Sequence, residues 1–267
     1  MGIALTEFLD TTRTPASGRY DIDYGGLSIP CSWESRGHHT TLVTFSGALT
    51  PNITELPAFV GWGTTRHLTC NVLMLSDPSL AIDPKLRLGW YAGCTALPRL
   101  QAKLTRVIRR FAARSRVVLF GASGGGFAAL EHAPCLPGSL AIVSNPQTDI
   151  LRYHQDAVEA YFKIAWGSNP SAASELPLEH EVVTRYSSPV AADVIYLQNS
   201  SDDFHIENHE RPFRDSLHPS NRVHFVRGSF GIGHVGPSKE QFTRMFEAAT
   251  SERRFSRVVA GVDAALR

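Results

Sequence analysis

Lysine is almost missing from this chain of 267 residues: Lys85, Lys103, Lys163 and Lys239 are the only four, and arginine carries the rest of the positive charge. We read that skew as codon bias, and a formal net charge of +1 leaves no basic surplus for nucleic acid or an acidic polymer. Cysteine is scarce as well. Cys31, Cys70, Cys94 and Cys135 stand far apart with no Cys-x-x-Cys pair, which excludes a disulfide framework and a cysteine zinc site and reads as reduced, mostly buried thiols. No run of 18 apolar residues could span a bilayer, and the start, Met1-Gly2-Ile3-Ala4-Leu5-Thr6-Glu7, has neither a basic segment nor a long apolar core. The chain therefore reads as cytoplasmic, with no membrane and no nucleic acid among its partners. Repeats, low-complexity tracts and flexible linkers are absent too, which predicts one domain over residues 1–267.

What is there is dominated by one stretch. Val117-Val118-Leu119-Phe120 runs into Gly121-Ala122-Ser123-Gly124-Gly125 and changes at once to a helical pattern. A serine at the apex of a sharp strand-to-helix turn needs small neighbours, and Gly121-x-Ser123-x-Gly125 supplies them, so the stretch reads as a nucleophile elbow. The following helix would aim the N–H of Gly124 at an oxyanion. The rival reading is a nucleotide site, because Gly124-x-Gly126-x-x-Ala129 fits a dinucleotide fingerprint. Against it, the next strand ends in Ser144-Asn145 instead of an acidic residue, no Tyr-x-x-x-Lys occurs, and no lysine follows the glycines.

Taken in order, a polar leader precedes two alternating segments, residues 20–24 and 27–33, around Gly25-Gly26, the pattern of an antiparallel edge hairpin. Residues 40–45 form a buried-strand run that breaks at Ser46-Gly47-Ala48, where a second oxyanion donor would sit. Residues 68–75 are another apolar run, and Trp90-Tyr91-Ala92-Gly93 reads as a loop. Leu97, Leu100, Leu104, Val107, Ile108 and Phe111 recur at helical spacing ahead of the elbow strand. Strands are then predicted at 140–143, 194–197 and 223–226, and helices at about 237–250 and 254–266. Residues 150–190 are irregular and rich in aromatic residues, which we read as a small cap. Strands alternating with helices imply a mostly parallel sheet covered on both faces, with ligands at the strands' carboxyl ends.

A serine hydroxyl needs a base to take its proton and a carboxylate to hold that base. Asp202-Asp203 follows one strand end, and His234, flanked by Gly231, Gly233 and Gly236, follows the last strand. The order serine, acid, histidine resembles the α/β-hydrolase superfamily over about residues 18–250, with the elbow after the fifth strand, the cap after the sixth, the acid after the seventh and the histidine after the eighth. The resemblance implies Ser123 as nucleophile, His234 as base and Asp202 as acid, with Asp203 as the other candidate. It also implies Gly124 and Ala48 as oxyanion donors, although this chain has Ser46-Gly47 where many members carry His-Gly.

Asn145 and Gln147 read either as substrate contacts or as a turn held by Asn-Pro. His205 reads as pocket lining, and Asp202-x-x-His205-x-x-x-His209 as a metal half-site that lacks a third ligand, so neither metal nor cofactor is expected. Function follows as hydrolysis of an ester, thioester or related acyl compound through an acyl-serine, with a small-molecule acyl substrate. An acyltransferase with the same triad and a catalytically silent binding protein are the alternatives.

Overall fold

The computed structural model describes residues 2–53, 55–113 and 115–267. Among these residues nine strands form one sheet: β1 (Gly2–Ala4), β2 (Gly18–Asp23), β3 (Ser28–Glu34), β4 (Thr40–Phe45), β5 (Asn71–Leu75), β6 (Arg116–Ala122), β7 (Leu140–Ser144), β8 (Asp193–Asn199) and β9 (Val223–Gly228). Their order is β1-β2-β3-β5-β4-β6-β7-β8-β9, and every neighbouring pair from β5 to β9 is parallel.

The alternation of side chains across the strands divides the core in two. Leu42, Val118, Ile142, Ile195 and Leu197 face the helices Lys239–Ser251 and Phe255–Ala265. Val43, Leu119, Val143, Val194 and Tyr196 face a larger core that includes helix Leu100–Ala112, the elbow helix Gly124–His132 and helix Gln155–Trp166. Helix Lys239–Ser251 starts on a full capping box, with Ser238 accepting from the N–H of Gln241 and the Gln241 side chain returning to the Ser238 N–H.

Two expectations about the amino-terminal region need correction. The leader is structured: β1 runs parallel to β2, and helix Leu5–Asp10 buries Leu5 and Phe8, with the Phe8 ring 4.8 Å from that of Phe111. Burying one such ring contributes about 1.5–3 kcal/mol, and Leu5 adds a second buried side chain from the same helix. The hairpin β2–β3 is accordingly not a pair of edge strands, because β1 covers β2 and β3 pairs antiparallel with β5. The extra strand moves the elbow to the end of the sixth strand and the 150–190 segment to the β7–β8 connection.

That segment carries helix Gln155–Trp166 and the single turn Val183–Tyr186. Its aromatic residues face inward. Tyr161, Phe162 and Tyr186 are fully buried, Tyr161 donates to the Gly93 carbonyl and Tyr186 to that of Leu130, so these rings pin the segment to the sheet's larger core and leave the site to Tyr153.

The sheet order places the site. From β4 the chain moves outward to β5, then crosses back to β6 on the other side of β4, and the crevice of such a sheet opens where the order reverses. The carboxyl ends of β4 and β6 are neighbours there, with Phe45 opposite Gly121. Ser46-Gly47-Ala48 and Ser123 are thereby brought side by side. No helix among the described residues is long and apolar enough to cross a membrane.

Candidate active site

Ser123 joins β6 to the elbow helix with φ 56° and ψ −123°, in the left-handed half of the map that residues with a Cβ avoid. The turn closes because its flanks lack side chains. A Cβ on Gly121 would fall inside the Gly125 carbonyl, and one on Gly125 would lie 2.5 Å from the Phe45 carbonyl oxygen. The N–H groups of Gly126 and Phe127 return to the Ser123 carbonyl, whereas that of Gly124, at the helix start, has no backbone acceptor among the described residues. Gly47 packs against the Ala122 carbonyl and the Ser123 Cβ, while Ala48, next along that turn, is exposed.

Past the carboxyl ends of β8 and β9, Asp202 and His234 meet. Asp202 is 5% exposed and its Oδ2 lies 2.6 Å from His234 Nδ1. Burial alone would raise the Asp202 pKa, but the hydrogen bonds and charge of His234 and His205 outweigh it and hold the carboxyl below its ordinary value. Asp203 is exposed and opens the short helix Asp203–His205, for which Asp202 is the cap. Of the two candidate acids, Asp202 is the one in contact with the imidazole.

The loop that carries His234 is held from beneath. Asn199 Nδ2 donates to the carbonyls of Gly231 (2.9 Å) and Gly233 (2.5 Å), Ser201 Oγ donates to the Gly231 carbonyl and accepts from the Gly233 N–H, and Asn145 Nδ2 donates to the Val235 carbonyl. Asn145, buried and at φ 41°, also accepts from the Asn199 N–H. Its expected role as a substrate contact is thus corrected: both ends of its amide are committed to backbone, and it ties the ends of β7 and β8 to the histidine loop.

Gln147 is fully buried and touches the serine. Its Nε2 lies 2.8 Å from Ser123 Oγ, and its Oε1 accepts from the Trp90 indole N–H. An indole N–H only donates, so the atom it meets is the amide oxygen, and the N–H₂ end is necessarily turned to Ser123. Trp90 and Tyr91 are consecutive residues in left-handed conformation, φ 54° and 56°. The strained pair serves both halves of the site, since the Tyr91 hydroxyl accepts from the Ser46 N–H at the β4 turn and donates to the Leu75 carbonyl. Sequence reading made this stretch a plain loop. Two aromatic residues before Ala92-Gly93 carry no local signal of that conformation, and their partners are up to 57 residues away.

Tyr153, half-buried, places its phenol against Ser123 and Gln147, and burial raises its pKa. His234 Nε2 makes no hydrogen bond to Ser123 Oγ among the described residues, and the serine oxygen is instead hydrogen-bonded by Gln147. Such contacts commonly tighten only when substrate is bound.

His205 is 2% exposed and does not line an open pocket, which corrects its expected place. Its Nδ1 lies 3.0 Å from Asp202 Oδ1, and its ring stacks on that of His234 with centroids 4.0 Å apart. The half-site with His209 is not assembled either, because His209 Nδ1 accepts from the Thr148 N–H at 3.3 Å. Asp202, His205 and His234 do bring ligand atoms within 4.8 Å of one another. Their two rings, however, lie 21° from parallel and address opposite oxygens of one carboxylate, a geometry for two hydrogen bonds and not for two lone pairs converging on one ion.

No protein-family model matches the chain, and no curated protein matches its sequence. Solved structures match its fold. The capsule O-acetyltransferase of Neisseria meningitidis serogroup A superposes with a TM-score of 0.67 at 14% identity, over 90% of this chain and 98% of its own. The acylaminoacyl peptidase of Pyrococcus horikoshii gives 0.61 at 11% identity, over 96% of this chain and 45% of its own. Puromycin hydrolase gives 0.60 at 16% identity, over 92% of this chain and 39% of its own. With the sheet order above, these neighbours identify the α/β-hydrolase fold.

Proposed function

We propose that this protein is a serine hydrolase that cleaves a carboxylic ester, thioester or related acyl compound through an acyl-Ser123 intermediate, without a cofactor. The observation that carries the reading is the 2.6 Å hydrogen bond from His234 Nδ1 to Asp202 Oδ2, together with a serine held in an elbow. In this reading His234 Nε2 swings to Ser123 Oγ, takes its proton as the oxygen attacks the acyl carbon, and returns it to the leaving group. Asp202 keeps His234 protonated at Nδ1, so that Nε2 is the free base, and steadies the imidazolium once formed. The carbonyl oxygen, negative in the tetrahedral intermediate, takes hydrogen bonds from the N–H groups of Gly124 and Ala48. Water then attacks the acyl-serine with His234 again as base. We place the enzyme in the cytoplasm, in keeping with four unpaired cysteines.

Gln147 adds a donor at the nucleophile. Its N–H occupies one lone pair of Oγ, which fixes the position of the oxygen and leaves the serine proton free to turn toward His234. Misplacement of a reacting group by about 1 Å costs about 10²-fold in rate. Gln147→Ala is therefore expected to lower kcat on an activated ester by about 100-fold with the fold retained, and Trp90→Phe to lower it in the same direction by less. Wild-type turnover in Gln147→Ala would remove the residue from the mechanism.

A second reading, acyl transfer to an alcohol or amine, is supported by the O-acetyltransferase, whose own length is matched almost completely. Both readings share the acyl-serine and differ in what resolves it. Turnover of a p-nitrophenyl ester with and without a sugar or amine acceptor separates them: the hydrolase reading predicts free acid as the main product throughout. Transfer that outpaces hydrolysis at millimolar acceptor would assign the second reading.

A further inference from the structure

Asp202 serves two histidines. His234 takes Oδ2 at 2.6 Å, and His205 takes Oδ1 both through its ring Nδ1 at 3.0 Å and through its backbone N–H at 3.3 Å. A carboxylate held by one imidazole alone can rotate about its Cβ–Cγ bond. One held at both oxygens has its plane fixed, and with it the direction in which Oδ2 meets His234. The His205 ring also lies flat on that of His234, 4.0 Å away, and limits how far the exposed His234 loop lets its imidazole tilt.

We propose that His205 is a positioning residue of the active site: a neutral imidazole that donates Nδ1–H to Asp202, fixes the carboxylate toward His234, and moderates how strongly Asp202 holds the imidazolium. The proposal rests on the reading of Ser123, His234 and Asp202 as a triad. Its charge state follows from its surroundings. Burial, then the adjacent His234, press the His205 pKa down to about 4, against the pull of Asp202, so its ring is neutral near pH 7. The titratable groups around it are Asp202, His234, His154, His209 and Tyr153. Of these, burial presses His209 down to about 3, and Arg152 beyond it adds to that effect. Asp202 is the one carboxylate in this group. A neutral His205 can donate from Nδ1 only as the Nδ1–H tautomer, which leaves its Nε2 bare, and that atom is buried with no hydrogen-bond partner among the described residues.

The consequence is a pH signature that a packing role would not produce. Taking an N–H away from Asp202 leaves the carboxylate more basic and its grip on the imidazolium stronger. The base then stays protonated to higher pH, and the acid limb of the rate profile moves up. A hydrogen bond to a charged group corresponds to about one pH unit.

The test is the rate of Ser123 inactivation by a fluorophosphonate as a function of pH, in wild type, His205→Phe and His205→Asn, the last of which carries an amide N–H in the place of Nδ1. The expected result is an acid limb raised by about one pH unit and a plateau lowered several-fold in His205→Phe, with the limb restored in His205→Asn. Nitrogen-detected NMR of the wild-type protein gives the tautomer without any variant and without turnover, and His205 is expected as Nδ1–H. An unmoved limb in folded His205→Phe, or His205 found as Nε2–H, overturns the proposal. Wild-type protein that fails to react with the fluorophosphonate overturns the triad reading instead, and the NMR result still reports on the Asp202–His205 bond.

Discussion

Ser123→Ala and His234→Ala are each expected to lower turnover on an activated ester by at least about 10⁴-fold while the circular dichroism spectrum stays that of the wild type. Loss of either partner from a serine–histidine pair removes the same thing, an oxygen freed of its proton at the moment of attack. In a serine protease of this mechanism either loss costs about 10⁶-fold. The fold should survive, because Ser123 is only part-buried, His234 is exposed on its loop, and the loop is held by Asn199, Ser201 and Asn145. The double variant should be barely slower than either single. Multiplying effects would mean that the two residues act independently, and the assignment of a nucleophile to its base would fail.

Asp202→Asn should come next in size, at about 10⁴-fold, the loss seen when a triad aspartate of a serine protease becomes its amide. The amide keeps the shape of Asp202 but not its charge. One end still accepts from an imidazole, while the other can only donate, so either His234 or His205 must adopt the other tautomer. Asp203→Asn is expected to change turnover by less than about tenfold, since Asp203 is exposed and an exposed charge is screened by water and salt. Steady-state kinetics of both variants on one ester, with circular dichroism as the control on folding, makes the comparison. If Asp203→Asn were the crippled variant, the contact between Asp202 and His234 would not be the one used in catalysis.

The parts of this site that were legible in the sequence are those fixed by their immediate neighbours. Gly121-x-Ser123-x-Gly125 announces its turn because the clash that Gly121 avoids is local, with the Gly125 carbonyl four positions on. Asp202 and His234 stand out by their order along the chain, the first just past the buried β8 and the second on the loop that follows the half-buried β9. What stayed hidden depends on residues brought together across the sheet. Nothing near Gln147 says that its amide is oriented by Trp90, because that requires two successive left-handed residues on a loop 57 positions earlier. Asn145, past the carboxyl end of a strand, reads equally as a substrate contact or as part of an Asn-Pro turn, and only the fold shows its amide clamping Val235 and Asn199. His205 fell in a metal-like spacing with His209, and only the fold shows that it turns to the second oxygen of Asp202 instead. The fold itself was readable from the alternation of strands and helices. The exception was β1 with its helix, where a three-residue strand and a six-residue helix with two buried side chains are too short for a periodicity to show.

The central claim is that His234, held by Asp202, activates Ser123, and one measurement addresses it directly. The folded protein is treated with a fluorophosphonate near pH 7.5, digested, and the adduct located by mass spectrometry, in parallel with His234→Ala. A single adduct on Ser123 in the wild type, lost or slowed by several orders of magnitude in His234→Ala, is the predicted result. Labelling at another serine, or equal labelling of Ser123 in both proteins, would contradict the account.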